Sequence, residues 1–250
     1  MRSVKTCGYQ YQRKDLDASL LWVNLRSPVS KIHNSFPPAE HDSEKIYRVA
    51  FSEVFARYDR IYTEEVKMKA IGKQPLDCLR TIIDLLKIHD ATPEQLAEEI
   101  KELLKDRIKA AKFKPGAEKL IHHLAAHKIP MAIATSAWIE MLETLKACHA
   151  KNFSLFHHIV ASDSDPKVRE GKPSPEIFLV CASRFDEDPP PEECLVFEDA
   201  PSGVLAAKRA KMQVVMVPDS MVTQDYKDQA TLVINSLENF RPEDFGLPPY

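Results

Sequence analysis

The chain has 250 residues, 44% of them apolar, which is enough material for one core domain and a smaller inserted domain. Its 34 basic and 37 acidic residues are interspersed, which excludes the basic stripe of a nucleic-acid-binding protein. No apolar run approaches the length of about 18 residues that a membrane span needs, and charges interrupt residues 1–25 before a signal-peptide core accumulates. The five cysteines lack metal-ligand spacing and are typical of reduced thiols, so we expect a cytoplasmic protein.

Two features stand out in residues 1–42. The run Leu20–Val23 is apolar enough for a buried strand, which would deliver Asn24 to the edge of a sheet. Asp15 and Asp17 form an Asp-x-Asp pair, but the residues before them are too polar for a central strand. For residues 15–25 we favour a surface helix or a poorly ordered arm over a strand of the core.

The region from Glu44 to about Lys112 has the pattern of amphipathic helices. Apolar residues recur there at helical spacing, for instance at Leu79, Ile82 and Ile83. Thr92 precedes Pro93 and Glu94, an arrangement typical of a helix start with a capping hydroxyl. This region is therefore predicted to be a block of helices.

The rest of the chain alternates between apolar runs and helical segments, which predicts a doubly wound, Rossmann-like α/β fold with a mostly parallel sheet. Ligands of such sheets bind at the carboxyl ends of the strands. The predicted strands are Met131–Thr135, His158–Ala161, Cys194–Phe197, Gln213–Val217 and Thr231–Ile234.

Polar residues with complementary chemistry follow two of these strands. Thr135 and Ser136 end one strand and are suited to binding an anion, whereas Glu198 and Asp199 end another and repel each other unless a cation lies between them. Lys172 lies in a loop between the two, next to Pro173. Each feature alone has a structural explanation, such as a cap, a solvated lysine or a dipole-stabilising acid pair. Together they indicate phosphoryl binding and transfer.

Three segments carry a resemblance to a known family. Ala134–Ser136, Gly171–Pro173 and Val196–Gly203 resemble the second, third and fourth motifs of haloacid dehalogenase-type phosphatases. The similarity runs from about Ser43 to Tyr250, and within the family it is greatest to the pseudouridine-5'-phosphatases and their insect relatives.

The resemblance implies a domain organisation and a set of roles. It implies a helical cap at 44–112 inserted in an α/β core at 113–250, with residues 1–42 as an atypical N-terminal segment. A small phosphomonoester would be bound by Lys172, Thr135 and Ser136, of which Lys172 and Thr135 act in catalysis, and by Lys73 of the cap. Magnesium would be held by Asp199, with Glu198 supporting it through water. We expect a monomer with no nucleic-acid or membrane partner.

The family's first motif is absent from the position where it is expected. Its Asp-x-Asp supplies a nucleophile and a general acid and base, but counting back from the segment after it places the two aspartates at Ser35 and Pro37. Something else from residues 1–42 must then fill the central strand position. A smaller departure is Lys211, which stands where the family has a glycine at a helix end that often needs a positive φ.

Three hypotheses remain open. The chain belongs to a magnesium-dependent phosphomonoesterase lineage acting on small sugar or nucleotide phosphates, with pseudouridine 5'-phosphate the nearest guess, and is itself inactive. Alternatively, it is a pseudophosphatase that binds such ligands or a protein partner. In the third, residues 1–42 come from a mis-assigned or alternative first exon.

Overall fold

One six-stranded sheet forms the centre of the fold. The computed structural model describes residues 21–24, 43–70, 73–218 and 222–250. The strands are β1 Leu21–Asn24, β2 Met131–Thr135, β3 His158–Ala161, β4 Cys194–Glu198, β5 Gln213–Met216 and β6 Leu232–Val233. Their order is β3-β2-β1-β4-β5-β6. The pairs β2–β3, β4–β5 and β5–β6 are parallel, so the predicted doubly wound, mostly parallel α/β fold is confirmed.

Strand β1 corrects the prediction for residues 15–25. Leu21–Asn24 is not an arm: it fills the central position between β2 and β4, as the need for a replacement strand required. It runs antiparallel to both neighbours, so Leu21 pairs with Phe197 and Asn24 pairs with Cys194. Asn24 therefore lies at the amino end of β4 and not at its carboxyl end, where the sequence prediction had placed it. An apolar strand can form the hydrogen bonds of the sheet in either a parallel or an antiparallel direction. The direction that occurs depends on the path of the chain before and after the strand.

Helices precede the parallel strands and alternate with them. The predicted helical region contains α1 Ser43–Ala56, α2 Glu64–Ala70, α3 Pro75–Leu86 and α4 Pro93–Arg107. Thr92 caps α4 as predicted, because its hydroxyl accepts the Gln95 N–H while the Gln95 side chain accepts the Thr92 N–H. The later helices are α5 Ala117–Ala126, α6 Ile139–Cys148, α7 Ala150–Phe153, α8 Glu176–Ala182, α9 Pro201–Arg209 and α10 Gln224–Lys227. Within the described ranges, no helix is long and apolar enough to cross a membrane.

The helices α1–α4 share one apolar cluster with α6 of the α/β part. Phe55 and Leu79 are fully buried in this cluster, and Trp138 joins it from the start of α6. Lys101 of α4 also donates to Glu140 of α6 at 2.8 Å. The helical content of this region is as predicted, and its description as a separate cap at 44–112 stays a prediction.

The two faces of the sheet are covered by different elements. Side chains alternate along the strands, so Val196 faces one cluster and Leu195 faces the other. The first cluster contains α8 and α9, and the second contains α5 and the C-terminal segment around Phe240. Both clusters hold β4 in place, which fixes the position of the carboxylates at its end.

Candidate functional site

The carboxyl ends of β2 and β4 lie on either side of β1. Trp22 pairs with Ala132 on one side and with Val196 on the other, which places Thr135 level with Asp199. Since neighbouring strands are spaced by ~4.8 Å, the backbones at these two positions are separated by roughly 10 Å. The sheet thus brings the predicted anion-binding hydroxyl and the predicted acid pair to one edge.

Lys172 and Glu198 form a buried ion pair at this edge. Lys172 reaches Glu198 from the loop before α8 and donates a short hydrogen bond to Glu198 Oε1. The side chains are only 3% and 0% exposed. Burial raises the pKa of Glu198, while the Lys172 ammonium opposes that rise. The centroid of the Phe178 ring lies 5.0 Å from the Lys172 Nζ, so the ammonium also packs over an aromatic face.

The N-terminus of α9 packs directly on the Glu198 carboxylate. A Cβ atom at Gly203 would overlap that carboxylate, so the helix approaches this closely only because residue 203 has no side chain. The Ala200 N–H also donates to Glu198 Oε2 at 3.4 Å. Glu198 is therefore held by a lysine and by backbone, which leaves it little freedom to change partners.

Asp199 is paired with a second lysine. Lys114 Nζ lies 2.7 Å from Asp199 Oδ2, and the two side chains are 9% and 18% exposed. Lys114 belongs to the loop between Phe113 and Gly116, which also lines a cleft of about 320 Å³. Lys114 cannot be recognised as a site residue from the sequence, because one lysine before a Pro-Gly turn is indistinguishable from a solvated one until tertiary contacts bury it.

Several hydroxyls lie at the same strand ends. The Thr135 hydroxyl accepts the Ala137 N–H at 3.1 Å, and the Ser162 N–H donates to the Thr135 carbonyl at 2.9 Å. The Oγ atoms of Ser136, Ser162 and Ser202 are buried, and none has a hydrogen-bond partner in the described parts of the chain. Buried hydroxyls without partners are uncommon and often mark a place where a ligand or water binds. Ser162 was missed by the sequence analysis, although it follows β3 just as Ser136 follows β2.

The Lys73 side chain contacts another residue of the helical region in this structure. Its Nζ donates to Thr81 Oγ1 at 2.7 Å. The backbone beside it packs on the core, because a Cβ at Gly171 would lie 2.9 Å from the Gln74 nitrogen. Residues 71 and 72 of the predicted substrate-facing loop lie outside the described residues. The role of Lys73 in substrate binding stays a prediction.

The described residues do not make a site for the magnesium ion that the resemblance implies. Magnesium takes six oxygen ligands in octahedral geometry, usually from one or two carboxylates, substrate and water. Here each candidate carboxylate is already engaged by an ammonium group, Glu198 by Lys172 and Asp199 by Lys114. In the described ranges no group of three or more His, Cys, Asp and Glu side chains is arranged to hold a metal. The expected nucleophile positions Ser35 and Pro37, and the alternative pair Asp15 and Asp17, lie outside the described residues.

Comparison with known proteins identifies the family. Residues 21–211 match the family model of haloacid dehalogenase-like hydrolases. The chain is 42% identical to the Drosophila melanogaster protein named "Probable pseudouridine-5'-phosphatase" over 212 residues, 84% of this chain and 90% of that one. It is 39% identical to (DL)-glycerol-3-phosphatase 2 of Arabidopsis thaliana over 84% of this chain and 88% of that one.

A solved structure supports the same fold. A β-phosphoglucomutase from Clostridium difficile superposes with a TM-score of 0.70 at 18% identity, over 93% of this chain and 95% of that one. The match to the family model and the identity to the two curated relatives extend over most of the chain. This chain belongs to the haloacid dehalogenase-like hydrolases, and both of these curated relatives carry the names of phosphatases.

Proposed function

We propose that this chain binds a small phosphomonoester, with pseudouridine 5'-phosphate as the nearest substrate type, and does not hydrolyse it. The observation that carries this proposal is the Lys172 ammonium, held almost fully buried at the carboxyl edge of the sheet. A buried cation at that edge supports the binding of an anion. The names of the curated relatives support a phosphate ester as that anion.

The neighbouring hydroxyls supply the complementary donors. Lys172 gives one of its three N–H donors to Glu198, and the others are suited to phosphoryl oxygens. Thr135 uses its oxygen as an acceptor, which leaves its O–H free to donate. The hydroxyls of Ser136 and Ser162 have no partner in the described parts of the chain and complete a set of donors for a phosphoryl group.

The proposed lack of turnover rests on the nucleophile. The Asp-x-Asp motif expected before residue 43 is replaced by Ser35 and Pro37, and a serine without a base or a proline cannot attack phosphorus as a carboxylate does. The two carboxylates at the edge, Glu198 and Asp199, are each paired with a lysine, so neither is a free nucleophile. Phosphate binding and phosphate transfer are thereby separated in this chain.

Isothermal titration calorimetry with pseudouridine 5'-phosphate tests the binding. We expect heat with the phosphate ester and none with the free nucleoside. Thr135→Val should weaken binding by about tenfold or more, because it removes a hydrogen bond to a charged ligand. Lys172→Met should abolish it, while Lys167→Met, an exposed lysine of the same loop, should bind as the wild type does. Equal affinity for the ester and the nucleoside would overturn the proposal.

A further inference from the structure

We infer that Lys114 takes the place of a divalent cation at Asp199, so that this site operates without magnesium. The inference deepens the proposed function and rests on it for the identity of the ligand. Its own evidence is the position of one side chain: the Lys114 ammonium lies 2.7 Å from the Asp199 carboxylate. We define the edge cluster as Lys114, Lys172, Glu198 and Asp199.

The two ion pairs of the edge cluster make the Lys114 ammonium a substitute for the cation and not an addition to it. Two adjacent carboxylates at a strand end repel each other and require positive charge nearby. Lys172 pairs with Glu198 and Lys114 pairs with Asp199, so each carboxylate already has an ammonium group beside it. A divalent cation bound to Asp199 would be at ion-pair distance from the Lys114 ammonium and would be repelled by it.

The backbone of the loop that carries Lys114 is fixed on both sides. The Ala117 N–H donates to the Lys114 carbonyl at 3.0 Å, which closes the turn. Gly116 has φ +84°, and a Cβ there would overlap the backbone of Leu237 and Glu238. Phe113 packs edge-on against His149, with ring centroids 5.1 Å apart. These contacts fix the backbone position from which the Lys114 side chain reaches Asp199.

Burial distinguishes Lys114 from the lysines around it. Its residue is 8% exposed, whereas Lys112, two positions earlier, is exposed. A lysine loses hydration when it is buried, and such burial is rare unless the charge is paired. Lys112 serves as a matched control, because it has the same side chain on the same loop without the contact.

Thermal unfolding with and without millimolar MgCl2, at constant ionic strength, tests the inference on the full chain. Magnesium should shift the Tm of the wild type and of Lys112→Met by less than about 1 °C. Lys114→Met should have a lower Tm in EDTA, and magnesium should restore several degrees of it. Lys114→Arg keeps a positive charge and should remain insensitive to magnesium.

Two results would overturn the inference. One is a wild type that magnesium stabilises as strongly as it stabilises Lys114→Met, which would show that the ammonium does not exclude the cation. The other is a Lys114→Met variant that folds but shows no response to magnesium. If that variant does not fold, the response of the wild type and of Lys114→Arg decides the question. Because magnesium is the only probe, these results do not depend on whether the phosphate ester binds.

Discussion

Lys172 donates its hydrogen bond to a Glu198 carboxylate that is wholly removed from solvent. Replacing one member of such a pair leaves an uncompensated buried charge, which typically costs about 3–5 kcal/mol. We therefore expect Lys172→Met and Glu198→Gln each to lower the free energy of unfolding by about this amount. The double variant should lose less than the sum of the two, by at least about 1 kcal/mol. Urea unfolding of the four proteins measures this coupling.

An exposed ion pair provides the control for that cycle. Lys69 and Glu65 are 2.6 Å apart on α2, with side chains 53% and 78% exposed. Solvent screening leaves such pairs with little coupling, so the corresponding double-mutant cycle should be close to additive. Additive effects at Lys172 and Glu198 would contradict the role given to their contact.

Gly203→Ala tests how closely α9 approaches the edge cluster. The added Cβ would overlap the Glu198 carboxylate, so either the helix or the ion pair must shift. We expect a loss of about 1–3 kcal/mol in unfolding free energy, the usual cost of overpacking. The adjacent Ser202→Ala should be neutral or stabilising, because its buried hydroxyl has no partner in the described ranges. A Gly203→Ala protein as stable as the wild type would mean that Glu198 has room to move.

Lys211→Gly is expected to stabilise the protein. Lys211 has φ 63°, as the sequence indicated for this helix end. The Met212 N–H bonds to the Ala207 carbonyl and the Lys211 N–H bonds to the Lys208 carbonyl, which makes a Schellman motif. Glycine adopts this conformation without strain, and the gain should be about 0.5–1 kcal/mol in unfolding free energy.

Two further glycine substitutions provide a parallel case and a control for that result. Lys128, at the end of α5, has φ 56°, and Lys128→Gly should stabilise to a similar degree. Glu102→Gly, in the exposed middle of α4, should instead cost about 1 kcal/mol. Destabilisation by both lysine substitutions would show that the left-handed conformation carries no strain here.

We expect the protein to lose stability in mild acid because of His158. Burial lowers the pKa of His158, and the neighbouring His157 and Arg184 lower it further, against the bond to the Cys181 carbonyl. A histidine with a lowered pKa binds its proton more weakly in the folded state than in the unfolded one. The stability that neutral, buried His158 gives to the folded state is therefore fully present above the ordinary pKa of 6.5. It is lost as the pH falls through the folded-state pKa.

The pH dependence is measured by urea unfolding at about pH 7.5 and about pH 5.5. The wild type should lose stability between these values, and His158→Gln should lose less. His89→Gln changes an exposed histidine and should follow the wild type. An equal loss in wild type and His158→Gln would remove His158 as the cause.

The sequence predicted much of the core because apolar runs between helices are a local signal. β2 and β3 have the predicted bounds, and β4 extends one residue further, through Glu198. The direction of β1 was not predictable, because Leu21–Asn24 can pair with either polarity and its neighbours are more than 100 residues away in the chain.

The residues of the candidate site were also predictable where the signal is local, and not where it depends on contacts between distant parts of the chain. Lys172, Thr135 and the acid pair are next to strand or helix boundaries, where local patterns reveal them. Lys114 is 85 residues from Asp199 in the chain, and only the packed loop turns a common lysine into a buried partner. Ser162 follows the same rule as Ser136 and was within reach of the sequence analysis.

Phosphate release followed by ³¹P nuclear magnetic resonance tests the central claim most directly. Purified residues 1–250 with pseudouridine 5'-phosphate and MgCl2 should show no growth of the inorganic phosphate signal. A chain in which an apolar strand ending in Asp-x-Asp-Gly replaces residues 1–42, combined with Lys114→Met, should release phosphate, because the nucleophile is restored and the ammonium no longer excludes magnesium from Asp199. Steady release by the unmodified chain, abolished by Asp15→Asn, would contradict the account and identify Asp15 as the nucleophile.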